Sequence, residues 1–173
     1  LFTPPAAGER AGLFSSYDRR QSEIRDGRYV RWDANDDRGA FLETTDDGWN
    51  LMAKIDAPGV ITRVWCEQPE GSVRIILDGR PIIEAPLKDI FNGALAPFGM
   101  PLSYEIPSKN AGVSYFPVGF AESCRILSRD FSGEYQIDYR TYPKHVKVQC
   151  FSPALDHDSE TALTDVVKTM RRG

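Results

Sequence analysis

From Trp49 onward the chain runs as short apolar or alternating segments divided by turn residues. Asn50–Asp56 alternates weakly and stops at Pro58-Gly59. Val60–Glu67 (VITRVWCE) is rich in β-branched and aromatic residues, as a strand demands, and Ser72–Leu77 (SVRIIL) follows in kind. Asp78-Gly79 is a hairpin signal, because a two-residue turn needs positive φ, and Arg80–Pro86 returns as its partner strand. Val113–Phe120 reads as a strand interrupted by Pro117, hence an edge or a bulge, with Ser123–Leu127 behind it. In Glu134–Tyr142, Tyr135, Ile137 and Tyr139 fall on one face and Gln136, Asp138 and Arg140 on the other. His145–Phe151 repeats the pattern, with Val146, Val148 and Cys150 opposite Lys147 and Gln149. Strands with two unlike faces suit an antiparallel sheet buried on one side.

The remaining stretches have other characters. Residues 1–12, rich in Pro, Ala and Gly, read as an N-terminal arm. Residues 15–48 hold many charges and turn formers, which predicts a long loop or a pair of short strands around a polar site. Residues 87–112, full of Gly, Pro and Asn, read as a long excursion away from the core. From about Ser159, Leu163, Val166, Val167 and Met170 form the stripe of a helix, with Asp158 or Ser159 as its cap and Gly173 after its end. Seven or eight strands and one terminal helix predict an all-β protein: an antiparallel jelly-roll β-sandwich over 13–152, followed by a linking helix over 153–173.

Length and charge narrow the function. A chain of 173 residues is the size of one domain. Its formal charge of -4 and pI near 5.2 give no basic face for phosphates, so no nucleic-acid partner is expected. No apolar run approaches the roughly 20 residues of a membrane span, so no membrane partner is expected either. Cys66, Cys124 and Cys150 are too few and too scattered for a disulfide framework, and each lies in an apolar or strand-like stretch, which predicts buried thiols. The chain opens on Leu1 without a basic start and apolar run, so any signal peptide is expected to be gone already. An odd number of cysteines leaves the compartment open, with an extracellular or periplasmic location the expectation.

Two polar clusters carry the candidate chemistry. Ser16, Tyr17, Asp18 and Arg19 gather a hydroxyl, a phenol, a carboxylate and a guanidinium in one turn-like stretch. Trp32 with Asp33, Asn35, Asp36 and Asp37 offers a similar mixture. Sugar recognition needs such groups: planar bidentate partners for vicinal hydroxyls and an aromatic face for the ring's C–H surface. Tyr17, Asp18, Arg19, Trp32, Asn35 and Asp36 are therefore the candidate substrate-binding residues, set against a capped loop with a structural Asp18–Arg19 pair. Asp33, Asn35 and Asp37 resemble the start of a calcium loop, but Arg38 and Thr44 occupy the positions of its Gly and Glu, so no metal site is expected. His145 and His157 have no partner at ligand spacing, and no nucleophile motif accompanies them. No cofactor is expected. Glu43, Glu67, Glu122 and Glu134 are possible carboxylates for glycoside chemistry, but spacing alone cannot pair any two of them, so the catalytic residues are left unassigned.

Six stretches in order are LFSSYDR (13–19), RWDANDD (31–37), IDAPGVITRVW (55–65), VRIILDG (73–79), YFPVGFAES (115–123) and YQIDYRTY (135–142). Together they resemble the domain-of-unknown-function 2961 proteins, grouped as glycoside hydrolase family 172, over about residues 13 to 160. The resemblance implies a protein of two tandem jelly rolls that assembles as a trimer or hexamer resembling double-jelly-roll viral capsid proteins. It implies cleavage of furanosides of the fructofuranoside or arabinofuranoside type, with retention, by two glutamates. It also places the segments around Asp18 and Trp32 near the sugar. Those glutamates belong to the family's second half, and no residue here matches their motif. The chain is thus expected to be the N-terminal half, shaping the sugar pocket and the homo-oligomer interface. The alternative is a non-catalytic jelly roll for carbohydrate binding or assembly.

Overall fold

The computed structural model describes residues 6–18, 24–29 and 37–170. Its strands are β1 (Arg10–Ser15), β2 (Ile24–Arg25), β3 (Arg28–Tyr29), β4 (Glu43–Thr44), β5 (Asn50–Ile55), β6 (Gly59–Glu67) and β7 (Ser72–Leu77). There follow β8 (Arg80–Pro86), β9 (Ser103–Ile106), β10 (Ala111–Ser114), β11 (Val118–Phe120), β12 (Cys124–Arg129) and β13 (Tyr135–Thr141). Helix α1 (Asp89–Asn92) sits between β8 and β9, and α2 (His157–Met170) closes the described chain.

Among these strands, one sheet has the order β1-β13-β6-β10-β9, with β11 also on β6, and a second has the order β4-β5-β12-β7-β8. Every pairing is antiparallel. The chain crosses between sheets from β5 to β6, β6 to β7, β8 to β9, β11 to β12 and β12 to β13. That repeated crossing makes a jelly-roll sandwich, as the strand count predicts. The core lies between the two inner faces. Tyr135 and Ile137 are buried as their alternation requires, and Tyr139 stacks on Phe14 with ring centroids 5.1 Å apart. A smaller cluster of Trp49, Leu51 and Leu127 covers the outside of the second sheet. Arg74 and Arg129 lie over the Trp49 ring at 4.1 and 4.5 Å.

Five expectations need correction. Residues 87–112 belong to the core, since Leu87, Ile90, Phe91 and Phe98 are buried and β9 and β10 widen the first sheet. Phe91 packs directly onto Gly112, where any Cβ would overlap its ring. Residues 145–151 form no strand, because Pro143 has no N–H and the Val146 N–H turns back onto the Pro143 carbonyl at 2.9 Å. The Phe151 N–H ties that end to the sheet, through Gly119 O at 2.9 Å. Cys66 and Cys124 are buried as expected, but Cys150, in this irregular segment, is exposed. The apolar stripe of α2 is half used: Leu163 packs on the core, whereas Val166 and Met170 are 44% and 52% exposed. The helix is capped by Asp156, whose Oδ1 accepts the Ser159 N–H at 2.8 Å, rather than by Asp158 or Ser159.

Candidate functional site

The polar stretch after β1 is set in place by the first sheet. Ser16 extends the β1–β13 ladder by one residue. Its N–H donates to Tyr135 O at 3.2 Å, and its Oγ accepts the Tyr135 N–H at 3.1 Å. The next two residues then face opposite ways: Tyr17 is 50% exposed and Asp18 only 1%. The Asp18 N–H donates to Asp37 Oδ1 at 2.8 Å, so two segments far apart in sequence meet here.

The turn that carries Asp37 is itself anchored to the end of β6. Arg38 donates to Glu67 Oε2 at 2.6 Å and to Gln68 Oε1 at 3.3 Å. The Tyr135 hydroxyl, below this turn, lies 3.4 Å from Ala40 O and 3.3 Å from Met52 O. Tyr17 therefore projects from a segment held through Ser16, Asp18 and Asp37 against the rigid first sheet.

Beside it runs the outer face of that sheet. In the β13–β6 register, Gln136 stands opposite Trp65 and Asp138 opposite Arg63, all four on the face away from the core. Arg63 Nη1 donates to Gln136 Oε1 at 3.0 Å and to Asp138 Oδ2 at 2.9 Å. Leu13 and Ser15 of β1 complete these two rows, opposite Asp138 and Gln136.

Of the six candidate residues, Tyr17 and Asp18 lie together here, while Arg19, Trp32, Asn35 and Asp36 lie outside the described residues. So do Asp33 and Asn35 of the calcium-like pattern, whose described member Asp37 accepts a backbone N–H through Oδ1. Among the described residues, no group of His, Cys, Asp and Glu is placed to hold a metal ion. Asp138 pairs with Arg63 rather than Arg140, which reaches Glu9 at 3.0 Å. Sequence reasoning missed Arg38, Gln136 and Trp65 as neighbours of this site. The signal for Gln136 was the polar face of its strand, and the signal for Trp65 was a large aromatic within β6.

A second polar arrangement is structural. Asp78, at φ 50° in the β7–β8 turn, accepts the N–H groups of Ala121, Glu122 and Ser123 at 3.0, 2.6 and 2.9 Å. Burial pushes its carboxyl up, but those N–H groups and the Cys150 thiol outweigh burial and hold it below the usual range. Burial raises the Cys124 thiol to about 12, and it raises the Cys66 thiol as well. A cavity of about 850 Å³ opens where Val60 and Gly119 of the first sheet, with Tyr115 between β10 and β11, face Phe151, Leu155 and Leu163. Its walls are mainly hydrocarbon, with Gln149, Ser152, Asp156 and Ser159 on its polar side, where Gln149 Nε2 and the Ser159 N–H both donate to the Asp156 carboxylate.

Comparison with known families matches residues 7–159 to the GH172 first beta-sandwich domain. A search of curated proteins finds no match. The matched span includes both sheets, Tyr17, Asp18 and Asp37, and ends within the first turn of α2. The chain belongs to glycoside hydrolase family 172, as a first β-sandwich domain of that family.

Proposed function

We propose that this domain serves a glycoside hydrolase acting on furanosides, of the fructofuranoside or arabinofuranoside type. It shapes the sugar pocket and supplies part of a homo-oligomer interface, and the catalytic glutamates come from a second jelly-roll half. The observation that carries the reading is the family match across the segment that presents Tyr17 and buries Asp18. In this reading Tyr17 offers its ring and hydroxyl to the sugar. Asp18, shielded from solvent, positions that segment against Asp37. Arg19, Trp32, Asn35 and Asp36 supply further contacts.

The test is a panel of p-nitrophenyl furanosides and pyranosides assayed with the native gene product. The reading expects release from at least one arabinofuranoside or fructofuranoside, and a product that first appears with the anomeric configuration of the substrate. Release from pyranosides alone would overturn it.

One observation favours the second reading, a non-catalytic assembly unit. Tyr115 and Val166 line the same hydrocarbon-walled cavity and leave apolar surface exposed at it. Tight self-association with no hydrolysis of any glycoside in the panel would support that reading instead.

A further inference from the structure

The outer face of the first sheet carries a side-chain set that the reading so far does not use. Trp65 lies partly exposed in the middle of β6. Gln136 is its direct cross-strand neighbour, and Arg63 is two residues along the same strand. Facing residues on paired strands have Cβ atoms about 4.5–5.5 Å apart, so the indole and the amide share one patch.

The polar groups in the patch are preset rather than loose. Arg63 Nη1 is the hub that fixes Gln136 Oε1 and Asp138 Oδ2. Among the described residues, Gln136 Nε2, Arg63 Nη2 and Asp138 Oδ1 have no partner. Arg63 and Asp138 keep 29% and 37% of their side-chain surface exposed. The patch thus presents a planar aromatic bordered by an amide donor, a guanidinium donor and a carboxylate acceptor, all with fixed orientation.

This chemistry separates the possible ligands. A protein partner would be met by an interface core depleted in charge, whereas two of the four residues here are charged. A phosphate would want cation without carboxylate, and Asp138 opposes it. A sugar ring wants a flat aromatic for its C–H face and paired donors and acceptors for adjacent hydroxyls. Alternation along β1 carries the face from Leu13 and Ser15 toward Tyr17, so the patch and the exposed phenol border one surface.

We infer that Trp65, Gln136, Arg63 and Asp138 form a saccharide subsite on the outer face of the first sheet, taking a sugar unit further along the chain than the one at Tyr17. It rests on the glycoside reading above, but not on the furanose ring form or on hydrolysis. Trp65 is the stacking platform. Gln136 and Asp138 read neighbouring hydroxyls, and Arg63 both orients them and donates to the ligand.

The experiment is isothermal titration of the native gene product with an arabinofuranosyl pentasaccharide and with xylopentaose. Removing the indole takes away the flat apolar face on which the ring's C–H groups would rest. Trp65→Ala is therefore expected to weaken binding about tenfold or more, with Trp65→Phe recovering most of the affinity. Gln136→Ala is expected to weaken it several-fold and leaves the core untouched, which keeps the test valid if Trp65→Ala fails to fold. Arg125→Ala, on the other sheet, is the control and should bind as the parent does. Trp65-dependent binding of xylopentaose alone keeps the subsite and overturns the furanoside reading. Hydrolysis of furanosides with pentasaccharide affinity unchanged in folded Trp65→Ala and Gln136→Ala overturns the subsite and leaves that reading standing. Absence of binding to either pentasaccharide overturns the subsite.

Discussion

Replacing Asp78 tests how the sandwich ties its two loop-rich ends together. Its carboxylate accepts three backbone N–H groups at the start of β12, two of them partly buried and one exposed. Hydrogen bonds to a charged group are worth about 1.5–3 kcal/mol each where burial protects them, and little where water competes. The two protected bonds therefore amount to about 3 kcal/mol. Asp78→Ala also places a Cβ-bearing residue that lacks Asp's local hydrogen bonding at φ 50°, for about 1 kcal/mol more. The expected loss is about 4 kcal/mol, or a shift near 2 M in the urea midpoint for a slope of about 2 kcal/mol/M. Asp78→Asn keeps the turn and one acceptor and should lose about half as much.

The pH dependence fixes the sign. The folded carboxyl is held below its ordinary value of 3.8, so its contribution is fully present above that value and fades as pH falls through the folded value. The stability gap between parent and Asp78→Asn should be flat above about pH 5 and close in acid. Urea melts followed by circular dichroism from pH 2.5 to 8 measure both. A loss under 0.5 kcal/mol for Asp78→Ala, or a gap that widens in acid, would refute the reasoning.

Three further outcomes follow from the packing. Gly112→Ala should cost about 2–3 kcal/mol by overpacking against Phe91, and clearly less in a Phe91→Leu background, as a denaturation cycle would show. Gly71→Ala should cost about 3 kcal/mol or more, because φ is 72° and the added Cβ would meet the immovable carbonyls of Arg129 and Asp130. Under native conditions a thiol reagent should label Cys150 alone, and all three cysteines after unfolding. That labelling needs a more alkaline pH than a free cysteine, because burial and the bond to Asp78 raise the Cys150 thiol, and it should speed up in Asp78→Asn.

The strands most legible in the sequence are those whose alternation matches a neighbour's. Tyr135 and Ile137 point into the core as read, and Asp78-Gly79 makes the turn it announces. The alternation at Val146, Val148 and Cys150 misleads because a period of two specifies a strand only where another strand can take its hydrogen bonds. Helix α1 and β9 were hidden because each is only four residues long and sits among Gly, Pro and Asn, whereas the strand read at Val113–Phe120 is present as β10 and β11, parted around Pro117. The candidate site was half visible. The mixture at Ser16–Asp18 marked a candidate segment, but nothing local showed that Tyr17 emerges while Asp18 is buried. The bond from Asp18 to Asp37 and the pairing of Arg38 with Glu67 span 19 and 29 residues, so only the fold brings them together.

The most direct test of the account is a crystal structure of the native gene product with a furanosidic oligosaccharide bound. The account predicts a sugar ring against Tyr17 and the Asp37–Arg38 turn, with the saccharide extending toward Trp65 on the outer face of the first sheet. A sugar seated on the second sheet or in the hydrocarbon-walled cavity, with Tyr17 untouched, would contradict it.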